Sequence, residues 1–265
     1  MNRLIAILIL LPLELLAQFG LRDPGFVSSL NKHATAAAGG YFNGLVSTNN
    51  LVAYWRMDEV SDGSAQTNRL DSFGANHLTD NSSYAASAVG VITNAVDFES
   101  SVTEYFSIAD NAALSMPSGT SFTITGWFNL ESTGTRPILS KGAGANEDTE
   151  YLVSGSSTNL IFRVGDTVNF ATATVTGGAA TTGSWVFFAA RCDLAGDQLL
   201  LSINAGTNAV ASYTGDTVDG GSSLNVGRIV FSTGNRMDGK IDMLAVWKRL
   251  LTDAEITALA AGLDL

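Results

Sequence analysis

At 265 residues the chain can bury a full core, and all-β sandwiches of this length run as single domains. Hydrophobic residues make up 46% and charged residues 15%, which excludes disorder, and 27 glycines without a three-residue period exclude a collagen-like chain. Fourteen Lys and Arg face 25 Asp and Glu, a net charge of −11 that repels a nucleic-acid backbone where no basic patch offsets it, and no such patch is visible. The acidic surplus fits either the solubility of a secreted or surface protein or carboxylates gathered round a hard cation such as Ca2+. Cys192 is the single cysteine, so no internal disulfide forms and the fold is held by packing.

Residues 1–17, MNRLIAILILLPLELLA, place Arg3 before an apolar run from Leu4 to Leu11, a break at Pro12 and Ala17 ahead of Gln18. That order suits a secretory signal peptide, and the run is shorter than the roughly 20 residues of a membrane span. Glu14 is misplaced near a cleavage site, so a retained apolar arm that plugs into an assembly partner stays open. Residues 18–48 read as arm and linker, with a short helix starting at Asp23-Pro24, where Asp caps and Pro suits the first turn.

From residue 49 the chain breaks into runs of β-branched and aromatic residues separated by Gly, Asn, Asp and Ser, the pattern of an antiparallel sandwich. The runs are 51–57, 95–98, 104–108, 121–130, 150–154, 160–165, 184–193, 198–204, 223–229 and 240–249. In SFTITGWFNL, Phe122, Ile124, Gly126 and Phe128 share one face, whereas Thr123, Thr125 and Trp127 share the other. SWVFFAARCD is apolar on both faces as far as Arg191, as for a central strand covered on both sides, with Cys192 as inert core. The clear helix signal is TDAEITALAAG, with Thr252 and Glu255 as a capping box and Gly262 as the stop.

These pieces, in this order, resemble the concanavalin A-like lectin and glucanase superfamily, in its laminin G-like, pentraxin-related branch, over about residues 50 to 262. LVAYWRMDE and LDSFGANHLTDNS look like the family's first strand and turn, and AVDFES with EYFSIAD its Phe-Asp-Gly hairpin, although Glu99 stands where Asp is usual. SFTITGWFN, PILSKG, GSWVFFAARCD with QLLLSIN, and MDGKIDMLAVWKRLLTDAEI resemble the family's later strands and its closing helix. The resemblance implies an all-β, antiparallel two-sheet jelly-roll sandwich over 49–265, with a short C-terminal helix and an N-terminal apolar or helical arm.

Hydrolytic members of the superfamily carry Glu-Ile-Asp-x-x-Glu; here Lys240-Ile241-Asp242-Met243-Leu244-Ala245 lacks both outer carboxylates, so no catalytic residue is assigned. Asp97 and Glu99 lie two apart on one run, but nothing else supports them as a catalytic pair. His33 and His77 are too few for a triad or a histidine zinc site.

Alternation puts Asp242 on a face with Leu244 and Val246, where a carboxylate needs a partner. Pairing of the first and last strands would bring Asp58 and the Asp71–Asn76 turn close to it, oxygen ligands for the structural Ca2+ that the resemblance implies for some members. Arg56, Arg69 or backbone N–H groups are the alternative partners. Trp127, Tyr151 and Tyr213, with Tyr54, offer rings for sugar stacking, and loops 143–150, 215–221 and 231–236 are where binding would reside. Two functions follow as expectations: a secreted, non-catalytic recognition or adhesion module for glycans or a protein partner, or a structural protein of a virion or surface layer anchored through residues 1–48. Neither needs a nucleic acid or a stable membrane span.

Overall fold

The computed structural model describes residues 45–265 except 82 and 178, and residues 48–262 pack together as one unit. The signal or arm at 1–17 and the helix expected at Asp23 lie outside the described residues. In chain order the strands are β1 (Leu51–Trp55), β2 (Thr79–Asn81), β3 (Ala86–Val89), β4 (Asn94–Phe98), β5 (Tyr105–Ile108) and β6 (Phe122–Leu130). Next come β7 (Arg136–Lys141), β8 (Tyr151–Ser156), β9 (Asn159–Gly165), β10 (Phe170–Val175), β11 (Val186–Asp193) and β12 (Gln198–Ile203). The last are β13 (Ala209–Ser212), β14 (Leu224–Val226), β15 (Arg228–Ile229), β16 (Ser232–Arg236) and β17 (Gly239–Trp247), after which comes helix α1 (Asp253–Ala260).

Two antiparallel sheets stack as the sequence pattern requires. One runs β13, β12, β11, β6, β17, β4, β3, with β1 beside the second half of β17; the other runs β10, β9, β8, β7, β14, β5, β2. After β6 the chain leaves the first sheet, lays down β7 to β10 as a meander in the second, and returns at β11 to pair with β6. Aromatic rings join the layers: Phe122 meets Tyr151 and Phe162 at centroid distances of 5.6 and 6.0 Å, and Phe98 meets Phe106 edge-on at 5.4 Å. Each such pair adds about 0.5–1.5 kcal/mol beyond simple burial.

The outer face of the first sheet is roofed by the C-terminal segment, which explains why β11 is apolar on both sides. The Thr123 hydroxyl donates to the carbonyl of Arg249 at 2.8 Å and accepts from the Leu251 N–H at 3.0 Å. Arg191 donates to the Leu251 carbonyl and to Asp253, and α1 packs on β11. α1 begins where expected, with Thr252 and Glu255 closing a capping box, and the chain turns off it through Gly262 at φ +82°.

One expectation about β17 fails. The strand bulges between Asp242 and Ala245, with Met243 at φ +49°, so strict alternation stops there. Ile241, Leu244 and Val246 enter the core, while Asp242 lies opposite Trp127 on the roofed face and not with Leu244 and Val246.

Candidate functional site

β14 is followed by Gly227, whose φ of +86° and position over the Phe98 ring leave no room for a side chain: a Cβ would sit 2.8 Å from a ring carbon. There the chain leaves the sheet and forms the β15–β16 hairpin beside β7. Two β7 side chains fasten it, Ser140 donating to the Arg228 carbonyl at 2.8 Å and Arg136 to the Arg236 carbonyl at 3.2 Å. Arg228 and Arg236 are cross-strand partners and therefore share a face of the hairpin.

Between this hairpin and the start of β5 lies a cleft of about 80 Å³, lined by Thr103, Glu104, Tyr105, Arg228, Ile229, Val230, Ser232 and Arg236. Its volume is small beside the several hundred Å³ of a drug-sized pocket, so it suits one substituted sugar edge or one ionic group. The Arg228 guanidinium carbon lies 3.5 Å from the centre of the Tyr105 ring, and its Nε donates to Asn225 Oδ1 at 3.1 Å. Asn225 is fully buried and bound in turn to Ser223, so the guanidinium is held by stacking on one side and a fixed acceptor on the other. Glu104 is 8% exposed and accepts the Glu99 N–H at 2.6 Å. Burial, then the neighbouring charges of Glu99, Asp80 and Asp97, push its carboxyl up to about 7 against that hydrogen bond. Glu104 is also the only acid among the lining residues, whereas glycoside hydrolysis by the common mechanisms takes two.

None of the metal or ring residues singled out from sequence lines this cleft. Asp71 is 5% exposed and serves as a turn clasp: Oδ1 accepts from the Tyr54 and Phe73 N–H groups and Oδ2 from the Asn76 N–H, each at 3.0 Å. Asn76 donates to the Val52 carbonyl at 2.9 Å, so the Asp71–Asn76 turn is stitched to β1. Asp58 pairs with Arg56 at 3.0 Å and accepts from the Thr93 hydroxyl and the Asn94 N–H. Asp242, 1% exposed, accepts from the Val91 N–H at 2.7 Å. These carboxylates face N–H, hydroxyl and guanidinium donors, and among the described residues no three His, Cys, Asp or Glu side chains converge to hold an ion. Arg69 sits 3.8 Å from Glu59 and not beside Asp242.

Of the rings, Tyr151 is fully buried with its hydroxyl on the Leu114 carbonyl, and Tyr213 is 2% exposed with its hydroxyl on the Asp216 carbonyl, which leaves neither a face for a ligand. Tyr54 is 2% exposed as well. Trp127 is half-buried, tilted against Phe187 at 5.4 Å, with an indole nitrogen that has no acceptor among the described residues. Asp97 is bridged by Lys240 at 3.5 Å, and Lys240 also pairs with Glu131, while Glu99 lies exposed beyond the end of β4. The Cys192 thiol is buried and pushed up to about 12, which fits inert core. Sequence reasoning missed Glu104, Tyr105 and Arg228 as site residues; loop 231–236 was marked only as one of three candidates, and it supplies Ser232 and Arg236.

A laminin G family model, described as concanavalin A-like lectin/glucanases superfamily, matches residues 100–257. The chain belongs to that superfamily. No curated protein matches it in sequence. Among solved structures this superfamily member is similar to the binding domain of paraclostridial mosquitocidal protein 1, at 14% identity and TM-score 0.63, over 80% of this chain and 52% of that one. It is also similar to the botulinum neurotoxin serotype G binding domain, at 13% identity and TM-score 0.62, over 80% and 51%. The chain thus spans about half the length of those toxin domains. It covers 98% of domain 4 of AbnA, an extracellular arabinanase of family GH43 from Geobacillus stearothermophilus solved with arabinotriose, at 20% identity and TM-score 0.57, over 80% of this chain. At these identities the likeness establishes the fold. No helix among the described residues is long and apolar enough to cross a membrane.

Proposed function

We propose that the chain is a non-catalytic glycan-recognition module that works outside the cytoplasm. The observation that carries this reading is the cleft beside the β15–β16 hairpin, where a ring braced by a guanidinium, two arginines, hydroxyl groups and a single carboxyl converge on a lectin-like sandwich. Sugars are held by this mixture of ring surface, charged donors and hydroxyl groups, and a lone acid gives no second carboxylate for bond cleavage. The similar solved structures support it, since they are titled as binding domains or, for the arabinanase domain, contain a bound arabinotriose. The extracellular setting draws on the signal-like order of residues 1–17.

The test is a glycan array probed with the full chain, with neutral and acidic saccharides displayed side by side. Retention on a defined saccharide class, weakened by Arg228→Ala, is the expected result. Absence of retention on every class would remove the reading.

A further inference from the structure

The chain carries a net charge of −11, and the cations at Arg69, Arg136, Lys141, Arg191, Lys240 and Arg249 each lie within 4.0 Å of a carboxylate. With 25 acidic side chains against 14 basic ones, a cation left without a carboxylate runs against the composition. Among the described residues Arg228 and Arg236 are such cations, and they stand side by side in one cleft. Arg228 spends Nε on Asn225 and its face on Tyr105, which leaves both terminal nitrogens without acceptors among the described residues. Arg236 makes one long bond, 3.4 Å, to the Val102 carbonyl at the surface. Two like charges held together repel each other, so the arrangement gains from an anion that bridges them. A planar oxyanion matches the guanidinium fork, and the orientation of Arg228 is fixed before any ligand arrives. The remaining lining, Tyr105, Ile229 and Val230 with Thr103 and Ser232, combines ring and aliphatic surface with hydroxyl groups, as the edge of a sugar ring requires. Glu104 would oppose an anion when ionised, but burial favours its neutral form.

We propose that this cleft is the subsite for the acidic group of a saccharide, a uronate-type carboxylate seated between Arg228 and Arg236 with its ring edge against Tyr105. The inference rests on the glycan-binding reading and names the ligand class. The experiment is titration calorimetry of the full chain with trigalacturonate, a sulfated oligosaccharide, neutral arabinotriose and a polyglutamate peptide, at two salt concentrations. Trigalacturonate should bind more tightly than arabinotriose and weaken as salt rises, and Arg228→Gln and Arg236→Gln should each lower its affinity at least about tenfold. Arg236 is at the surface, so its variant keeps the test decisive if Arg228→Gln folds poorly; Arg228→Lys, which keeps the charge and loses the fork, should also weaken binding. Arabinotriose bound as well as or better than trigalacturonate would overturn this inference and leave the glycan reading standing. No saccharide bound would overturn both. Preference for the sulfated sugar would refute the carboxylate, and binding of polyglutamate alone would refute the saccharide.

Discussion

Replacing Glu104 by Gln should stabilise the protein in alkaline solution and leave it nearly unchanged in acid. The Glu104 carboxyl goes from its ordinary 4.5 to about 7 in the folded chain, so between those values the native state holds a proton that the unfolded state has released. Stability from this group is therefore complete below about 4.5 and lost as pH rises through about 7. At about 1.4 kcal/mol per decade the full cost is about 3 kcal/mol, and water at the rim of the cleft reduces it to about 1–2 kcal/mol. Gln keeps a carbonyl to accept the Glu99 N–H and brings no charge toward Glu99, Asp80 and Asp97, which burial also pushes upward. Urea denaturation of both proteins at pH 5, 6.5 and 8 isolates the effect, because the other titrating groups are common to the pair. The variant should gain about 1–2 kcal/mol over the wild type at pH 8, with the gap closing by pH 5. A constant gap across the range, or one that widens toward acid, would show that burial does not hold the Glu104 proton.

Three further changes test the packing of the sandwich. Lys141 is fully buried with its amine 2.8–2.9 Å from both Glu150 oxygens and 2.8 Å from Asp110, so Lys141→Met strands a carboxylate and should cost about 3–5 kcal/mol in urea denaturation, while Lys141→Met with Glu150→Leu recovers much of it. Asp71→Ala orphans three N–H groups and should cost about 3 kcal/mol; chelation by EGTA should leave the wild-type midpoint unmoved, whereas a clear fall would place a structural ion in the protein. Thr252→Ala removes the hydroxyl half of the capping box, while the backbone N–H at 252 still donates to Glu255, and should lower stability by about 1 kcal/mol, measured by thermal denaturation.

How much of the fold was legible in the sequence depends on where each strand sits. The central strands β6, β11 and β17 are buried on both faces and read at once as apolar runs, and the capping box marked α1 to the residue. The strands passed over were β2, β3, β10 and β13, with β16 of the hairpin, written TDN, ASAV, FATATV, AVAS and STGNR. The first four are the outermost strands of the two sheets. An edge strand has one neighbour and one open side, so selection there favours short, weakly apolar sequence over the pattern that betrays a core strand.

The same reasoning separates the two kinds of site residue. Asp242 was visible because a carboxylate on an apolar strand demands a partner, but its direction was not, since alternation cannot foresee a residue at positive φ such as Met243, and the bulge turned the carboxylate toward Trp127 and the Val91 N–H. The cleft was invisible for a different reason. Tyr105 precedes Phe106, and Arg228 comes two residues after Val226; Phe106 and Val226 are partners in the β5–β14 ladder, so a pairing between segments distant in sequence brings the ring and the guanidinium together. No local pattern encodes that meeting. Its local trace is Gly227, where a side chain would strike Phe98: the glycine lets the chain leave the sheet at the point where Arg228 must turn over Tyr105, and the β15–β16 hairpin then brings Arg236 alongside.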